Sequence, residues 1–316
     1  MLAKKHMLVL FALLIYNPRH MGNQTLHVSI SAETIFQFFG LPISNSIFTS
    51  LIVSSLLIAF AFFFKSKFKE TDKPSSMQNF VELIVETLYN FVYSITEDRK
   101  RTLLFFPIIS TFFVFIIMNN YVGLLPGVGS ILAPEKETKT ELSILSPEQV
   151  MAVSEIAPTE VTSEAGESAT KTEESHTKMV PVFRAATADL NTTLALAIIS
   201  VVLTQIFGIT HLGLSYFKKF LDFSNPINFF VGILEIVLEF AKIISFAFRL
   251  FGNVFAGEVL LAVMTYLIAV VVPAPFYALE IFVGFIQALV FSMLSLIFFN
   301  LATKSHHEES PELAKN

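Results

Sequence analysis

Cysteine and tryptophan are both missing from the 316 residues. Without cysteine there is no disulfide, no thiolate metal site and no cysteine nucleophile, and the redox compartment is left undetermined. Without tryptophan, an aromatic belt at a membrane–water boundary has to be built from tyrosine and phenylalanine. Charge is scarce too: Asp, Glu, Lys and Arg make up 15% of the chain, against about 25% in an ordinary soluble domain. The net charge of −5 comes largely from one segment and says little about the whole. There is no internal repeat at a period of about 20 to 50 residues. Nor is there a GxxxxGK[ST] phosphate loop, an HExxH or a GxSxG. Nucleotide chemistry is therefore not expected of this chain, and no cofactor, metal or nucleic acid is implied. What is present is apolar surface, with 53% hydrophobic residues and a mean hydropathy of +0.66. That composition reads as an integral, all-α membrane protein.

Five spans are expected. Residues 1–42 form an N-terminal segment in which Lys4 and Lys5 precede a short apolar run, Met7 to Tyr16. The run resembles the apolar region of a signal peptide and is too short to cross a bilayer. Ile47 to Phe64 is a first span, closed by Lys65, Lys67 and Lys69, which places that end at the cytoplasm. From Met77 to Ile95, apolar residues at 77, 81, 84, 88, 91, 92 and 95 oppose Gln78, Glu82, Glu86 and Asn90. This is the spacing of an amphipathic helix lying on the membrane surface. Leu103 to Leu125 is a second span, entered from Arg99-Lys100-Arg101, so 43–125 holds the first two spans and the surface helix.

The segment 126–188 is a different material, with ten Glu against four Lys between residues 130 and 180. It has too little apolar surface to repay the entropy of ordering, and it is expected to be a mobile, acidic external loop. Residues 189–303 return to apolar helix. Leu190 to about Thr210 is the third span, leading to Lys218 and Lys219, and Ser224-Asn225-Pro226 then opens a new helix with a cap and a first-turn proline. If wholly helical, residues 227–272 would be roughly 69 Å long, more than twice a hydrocarbon core of about 30 Å. Pro273 and Pro275 interrupt the pattern before Phe276 to Ala302 makes another helix, roughly 40 Å long. The last two spans are thus expected to form a long, strongly tilted hairpin, followed by a charged tail at 304–316. The N-terminus is external and the C-terminus cytoplasmic in this reading.

Several polar side chains fall inside these apolar helices. Arg249 is the most telling, because a guanidinium near a bilayer centre costs roughly 2.5–3.5 kcal/mol on insertion scales. Glu235, Glu239, Lys242 and Arg249 recur at intervals of 4, 3 and 7 and share one stripe, which Asn253 extends. Glu235, Glu239 and Lys242 can also satisfy one another by pairing at i+3 and i+4, with no proton work. Glu258, nine residues beyond Arg249, lies half a turn away from the stripe. On the last helix Glu280 and Gln287 share a side. In an antiparallel hairpin Gln287 lies opposite the Arg249 region, and Glu280 approaches Glu258 near the external end. Neither glutamate has a cation one turn away on its own helix, so both read as isolated carboxylates suited to proton exchange. Asp189 fits either a helix cap on Asn191 or Thr192 or a channel group. Gly252, Ala256 and Gly257 are packing residues or let another helix approach the Arg249 face.

The runs Asn119 to Pro126 (NNYVGLLP), Thr187 to Ala197 (TADLNTTLALA) and Ser245 to Glu258 (SFAFRLFGNVFAGE), with Gln287-Ala288, resemble subunit a of the rotary ATP synthase membrane sector across roughly 250 residues. The resemblance implies that Arg249 faces a rotating ring of c subunits and separates two half-channels, with Asn253 beside it and Gln287 its neighbour on the last helix. It implies that Glu258 and Glu280 are a coupled pair in the external half-channel. Some relatives carry histidine at one of these two positions, so a histidine relay does not apply here. Glu235 and Glu239 would lie toward the cytoplasmic exit, Asp189 near the external entrance, and Ser245 along a half-channel lining. The implied partners are the c-ring, the peripheral-stalk subunit b, membrane lipid and, indirectly, the soluble ATPase head. The implied location is a bacterial inner membrane. A secondary ion transporter is the competing reading; it would normally show broken helices repeated in two halves.

Overall fold

The computed structural model describes residues 32–38, 41–68, 75–125, 128, 131–134, 179–220, 225–267 and 272–304. The signal-like run, Lys69, the acidic stretch 135–178 and the tail beyond Lys304 lie outside the described residues. Among the described residues six α-helices make the body: α1 (Asn45–Lys67), α2 (Ser76–Thr96), α3 (Arg99–Gly123), α4 (Leu190–Leu212), α5 (Pro226–Leu267) and α6 (Pro273–Thr303). Two small antiparallel hairpins accompany them, β1 (Thr34–Phe38) with β2 (Leu41–Ser44), and β3 (Leu132–Pro134) with β4 (Met179–Pro181). The helix-period patterns gave no sign of these strands. The second hairpin joins the two ends of the acidic segment.

Helix starts follow ordinary capping chemistry. Ser44, Ser75, Asp98 and Asp189 each accept a backbone N–H from the first turn of α1, α2, α3 and α4, satisfying donors that the helix itself leaves unpaired. The chain turns sharply from α2 to α3 through Glu97, whose φ of 53° is left-handed, with Asp98 capping the next helix. Helix α2 divides its apolar residues between two sides. Leu88 and Val92 are buried with Thr96 against the body, while Met77, Phe80, Leu83 and Ile84 point outward.

Among the described residues, four helices are long and apolar enough to cross a membrane: α1, α3, α4 and α6. Helix α5 is the longest of those described, with 42 residues, or about 63 Å at the α-helical rise, and it carries Glu235, Glu239, Lys242, Arg249 and Glu258. With α6, at 31 residues or about 46 Å, it forms the expected long hairpin. Helices α3 and α4 pack against α6, and α4 also packs along α5.

Phenylalanine builds the interior. Phe105, Phe207 and Phe299 meet with ring centroids 5.0–5.7 Å apart, and Phe291 sits between Phe112 and Phe246 at 5.6 and 5.1 Å. Because lipid tails are as apolar as these rings, helix association relies on such close packing and on polar contacts between helices. The buried Ser200 and Ser295 hydroxyls bond at 2.8 Å, Asn120 donates to the Gly284 carbonyl at 3.2 Å, and Asn300 donates to the Ile95 carbonyl at 3.0 Å.

Candidate functional site

The polar groups of α5 fall into two clusters on either side of Arg249. Toward the α5 C-terminus, Asn253, Glu258, Glu280 and Gln287 line a cavity of about 200 Å³ together with Asn120, Arg184 and Tyr277. Toward the α5 N-terminus, Glu235, Glu239, Lys242, Ser245 and Arg249 line a second cavity of about 490 Å³, whose wall also holds Tyr216 and Phe298. Arg249 and Asn253 are one helical turn apart, roughly 6 Å along the axis. That turn is what lies between the two cavities.

Arg249 is exposed, and its guanidinium donates one long hydrogen bond, at 3.4 Å, to Ser245. Among the described residues it has no salt bridge. Gly252, Asn253 and Ala256, at i+3, i+4 and i+7 from Arg249, are exposed with it, and a Cβ added to Gly252 would meet nothing within 4 Å. The charge therefore stands on an open, small-residue face of the helix, as the sequence spacing suggested. One turn on, Asn253 donates to Gln287 at 3.0 Å, which ties α5 to α6. The Gln287 amide nitrogen is buried and has no partner among the described residues.

On the N-terminal side the i+3 pairing expected of Glu239 and Lys242 is present. Their side chains, 12% and 21% exposed, meet at 2.7 Å, and the ammonium also sits 4.7 Å from the centre of the Phe298 ring. One Glu239 oxygen, Oε2, remains buried without a partner. Tyr216, on the short 3₁₀ helix Gly213–Lys219, is buried and donates to Gln205 at 2.7 Å. Glu235 lines the same cavity.

The C-terminal cluster departs from the sequence expectation at one point. Glu258 is not an isolated carboxylate. Arg184, whose side chain is 5% exposed, directs both Nε and Nη2 at Glu258 Oε2, each at 3.2 Å. Its own helix offers no cation one turn away, and the partner comes from 74 positions earlier in the chain. The signal was a single arginine in the apolar run from Val180 to Ala186, which composition had merged with the acidic loop. In the structure, residues 180 and 184–188 are buried, and the segment is held by α1. Asn45 donates to the Pro181 carbonyl at 3.3 Å, and Thr49 Oγ accepts from Arg184 N–H at 3.3 Å. The Phe48 and Phe183 rings lie 5.7 Å apart.

Asp189 is a helix cap. It is buried, accepts from Asn191 N–H at 3.1 Å, and takes a 2.6 Å hydrogen bond from the Ser46 hydroxyl of α1. Glu280 does approach the Glu258 region. Its carboxyl lies directly over Gly257, filling the space a Cβ there would need. Among the described residues Glu280 makes no hydrogen bond or ion pair. The two glutamates thus share one cavity in different settings, one clasped by a guanidinium and one unclasped.

Comparison with known proteins gives the family. The family profile described as ATP synthase A chain matches residues 47–300. The chain is similar to the ATP synthase subunit a of Desulfosudis oleivorans, with 30% identity over 238 residues, covering 74% of this chain and 78% of the relative. It is 29% identical to that of Syntrophobacter fumaroxidans over 235 residues, 74% of each chain. Identity to that of Geotalea daltonii is 28% over 263 residues, 82% of this chain and 87% of the relative. With the family profile covering most of the sequence and both polar clusters, the chain belongs to the ATP synthase A chain family, the non-catalytic, multi-pass proton-channel subunits of the ATP synthase complex in the bacterial inner membrane.

Proposed function

We propose that this subunit is the stator half of a rotary proton path, with five spans once α5 is counted, an external N-terminus and a cytoplasmic C-terminus. The cavity lined by Glu258 and Glu280 is the external half-channel, and the cavity lined by Glu235 and Glu239 is the cytoplasmic one. A ring of c subunits, each with one carboxylate, runs along the face that carries Arg249, Gly252, Asn253 and Ala256. The peripheral-stalk subunit b and lipid cover other outward surfaces, and the soluble head, where nucleotide chemistry takes place, is reached only indirectly.

One observation carries this reading. A cation that cannot be neutralised stands on an open small-residue face, between two polar cavities, with no salt bridge among the described residues. Arginine stays charged at any accessible pH, so it can draw a ring carboxylate into its ionised form and never relay a proton itself. Protons arriving from one cavity therefore cannot leak directly into the other. They must board the ring, travel round it and leave on the far side of Arg249.

The test is ATP-driven proton pumping in inverted membrane vesicles, followed by quenching of a pH-sensitive dye. Arg249→Ala is expected to abolish quenching while the complex remains assembled in the membrane. Pumping at the parental rate would overturn the proposal.

A further inference from the structure

Arg184 has no part in the functional roles assigned above, yet among the described residues it is the one buried Lys or Arg, and it pairs across 74 positions with Glu258. We propose that Arg184 is a positioning residue of the external half-channel: it holds Glu258 as a fixed counter-charge in the cavity wall and leaves Glu280 as the group that takes up and passes on the proton. The proposal rests on the half-channel reading.

The geometry separates the two glutamates. Both donors of Arg184 converge on a single oxygen of Glu258 at 3.2 Å, an arrangement that a carboxylate satisfies and that a guanidinium, being planar and permanently charged, maintains with little freedom. Arg184 is itself anchored at its backbone, where its N–H donates to Thr49 on α1. The same helix end binds the segment again through Asn45 to Pro181 and through Ser46 to Asp189. Glu258 is thus linked through Arg184 to a braced part of the structure. Glu280 lies on the same cavity against the bare backbone of Gly257, with no hydrogen bond or ion pair among the described residues. A group that must accept a proton from cavity water and surrender it to a ring carboxylate cannot be tied into a strong pair at every stage. Glu280 meets that condition and Glu258 does not.

Charge balance around the cavity points the same way. Arg184 is the one cation among the described residues that line this cavity beside Glu258 and Glu280. With Arg184 in place the acidic groups are partly neutralised. With it removed, Glu258 and Glu280 would share a cavity whose described lining holds no other cation, and a proton entering it would be held rather than passed on. The opposite change, loss of the Glu258 charge, leaves the Arg184 cation facing the proton path without this carboxylate and repels incoming protons. Either single change harms conduction for a different electrostatic reason, whereas removing both charges restores the balance and leaves Glu280 intact.

The experiment measures passive proton conduction in vesicles that carry the whole complex and have then been stripped of the soluble head. The variants are Glu258→Gln, Arg184→Gln, the double variant Arg184→Gln with Glu258→Gln, and Glu280→Gln, each with the amount of assembled complex determined. Both single variants at 184 and 258 are expected to conduct about tenfold more slowly than the parent, and the double variant about tenfold faster than Glu258→Gln alone, the size of coupling seen between contacting charges. A general structural loss would not produce that rescue. A double variant that conducts no faster than Glu258→Gln overturns the proposal. So does one that fails to assemble where Glu258→Gln assembles, because Arg184 would then hold the fold and not the channel. Parental conduction in both Glu258→Gln and Glu280→Gln would instead remove the half-channel reading beneath it.

Discussion

The protein places two arginines in apolar surroundings and treats them in opposite ways. Arg184 is buried, paired through two donors with Glu258, and braced by α1. Arg249 is exposed on a small-residue face and keeps only a 3.4 Å hydrogen bond to Ser245. A guanidinium removed from water is tolerated when a carboxylate and further hydrogen bonds meet it, and Arg184 satisfies that rule within the chain. Arg249 does not. The difference separates a charge that is paired within the described part of the subunit from one that is left open on its surface. It also separates the two cavities: the one beside Arg184 contains an unclasped glutamate, whereas the one beside Arg249 contains the closed Glu239–Lys242 pair.

The sharpest way to break this comparison is to change Arg249 to a different cation. Arg249→Lys keeps a positive charge but replaces a planar, permanently charged group with an ammonium that can lose its proton when desolvated. ATP-driven pumping is expected to fall to background, nearly as low as in Arg249→Ala. Dye quenching close to the parental level would mean that charge alone suffices and that the exposed geometry is incidental.

Next in size is Glu280, the unclasped carboxyl. Glu280→Gln removes a proton carrier without changing shape and is expected to slow passive conduction by about a hundredfold or more, the scale of losing a general acid–base group. Glu280→His is expected to retain a measurable part, since an imidazole also titrates near neutral pH. Equal conduction by the two variants would show that a titratable group is not needed there.

Gly257→Ala probes the same group without touching its chemistry. A Cβ at 257 would occupy the position of the Glu280 carboxyl, so that side chain must move. Conduction is expected to drop by about tenfold to a hundredfold, as ångström-scale misplacements of reacting groups do, with the amount of assembled complex unchanged. The control is Gly252→Ala, where nothing lies within 4 Å of the added methyl inside the subunit. Its effect on conduction measures how closely a partner approaches that face.

The smallest effect is expected from the acidic stretch. Shortening residues 135–178, while keeping enough chain to join β3 and β4, should change pumping by less than about twofold, because loop length enters stability only logarithmically. Protease added to the external side of intact membranes is expected to cut within that stretch first. Protection there, with cleavage at the opposite side, would reverse the orientation proposed for the chain.

Much of this organisation is legible in the sequence, for identifiable reasons. Helix periodicity and apolar length set the six helices to within a few residues. The i+3 spacing of Glu239 and Lys242 and the alignment of Arg249 with them along one stripe follow from the 100° step of the helix. The antiparallel return of α6 toward α5, which brings Gln287 to Asn253, follows from the prolines at 273 and 275 and the short connection they leave.

What spacing could not reveal was any relation between distant segments. The pairing of Arg184 with Glu258 depends on how the segment 179–188 folds back over α5 and on the grip of Asn45, Ser46 and Thr49 upon it. Composition counted that segment with the acidic loop, since an average over fifty residues conceals ten that pack. The sequence by itself determined a helical membrane protein, the permanent charge of Arg249 within an apolar helix and the family to which its motifs belong, because these are properties of local patterns and residue chemistry. Only the tertiary structure decided which glutamate is clasped and which is left open, because that depends on contacts between residues far apart in the chain.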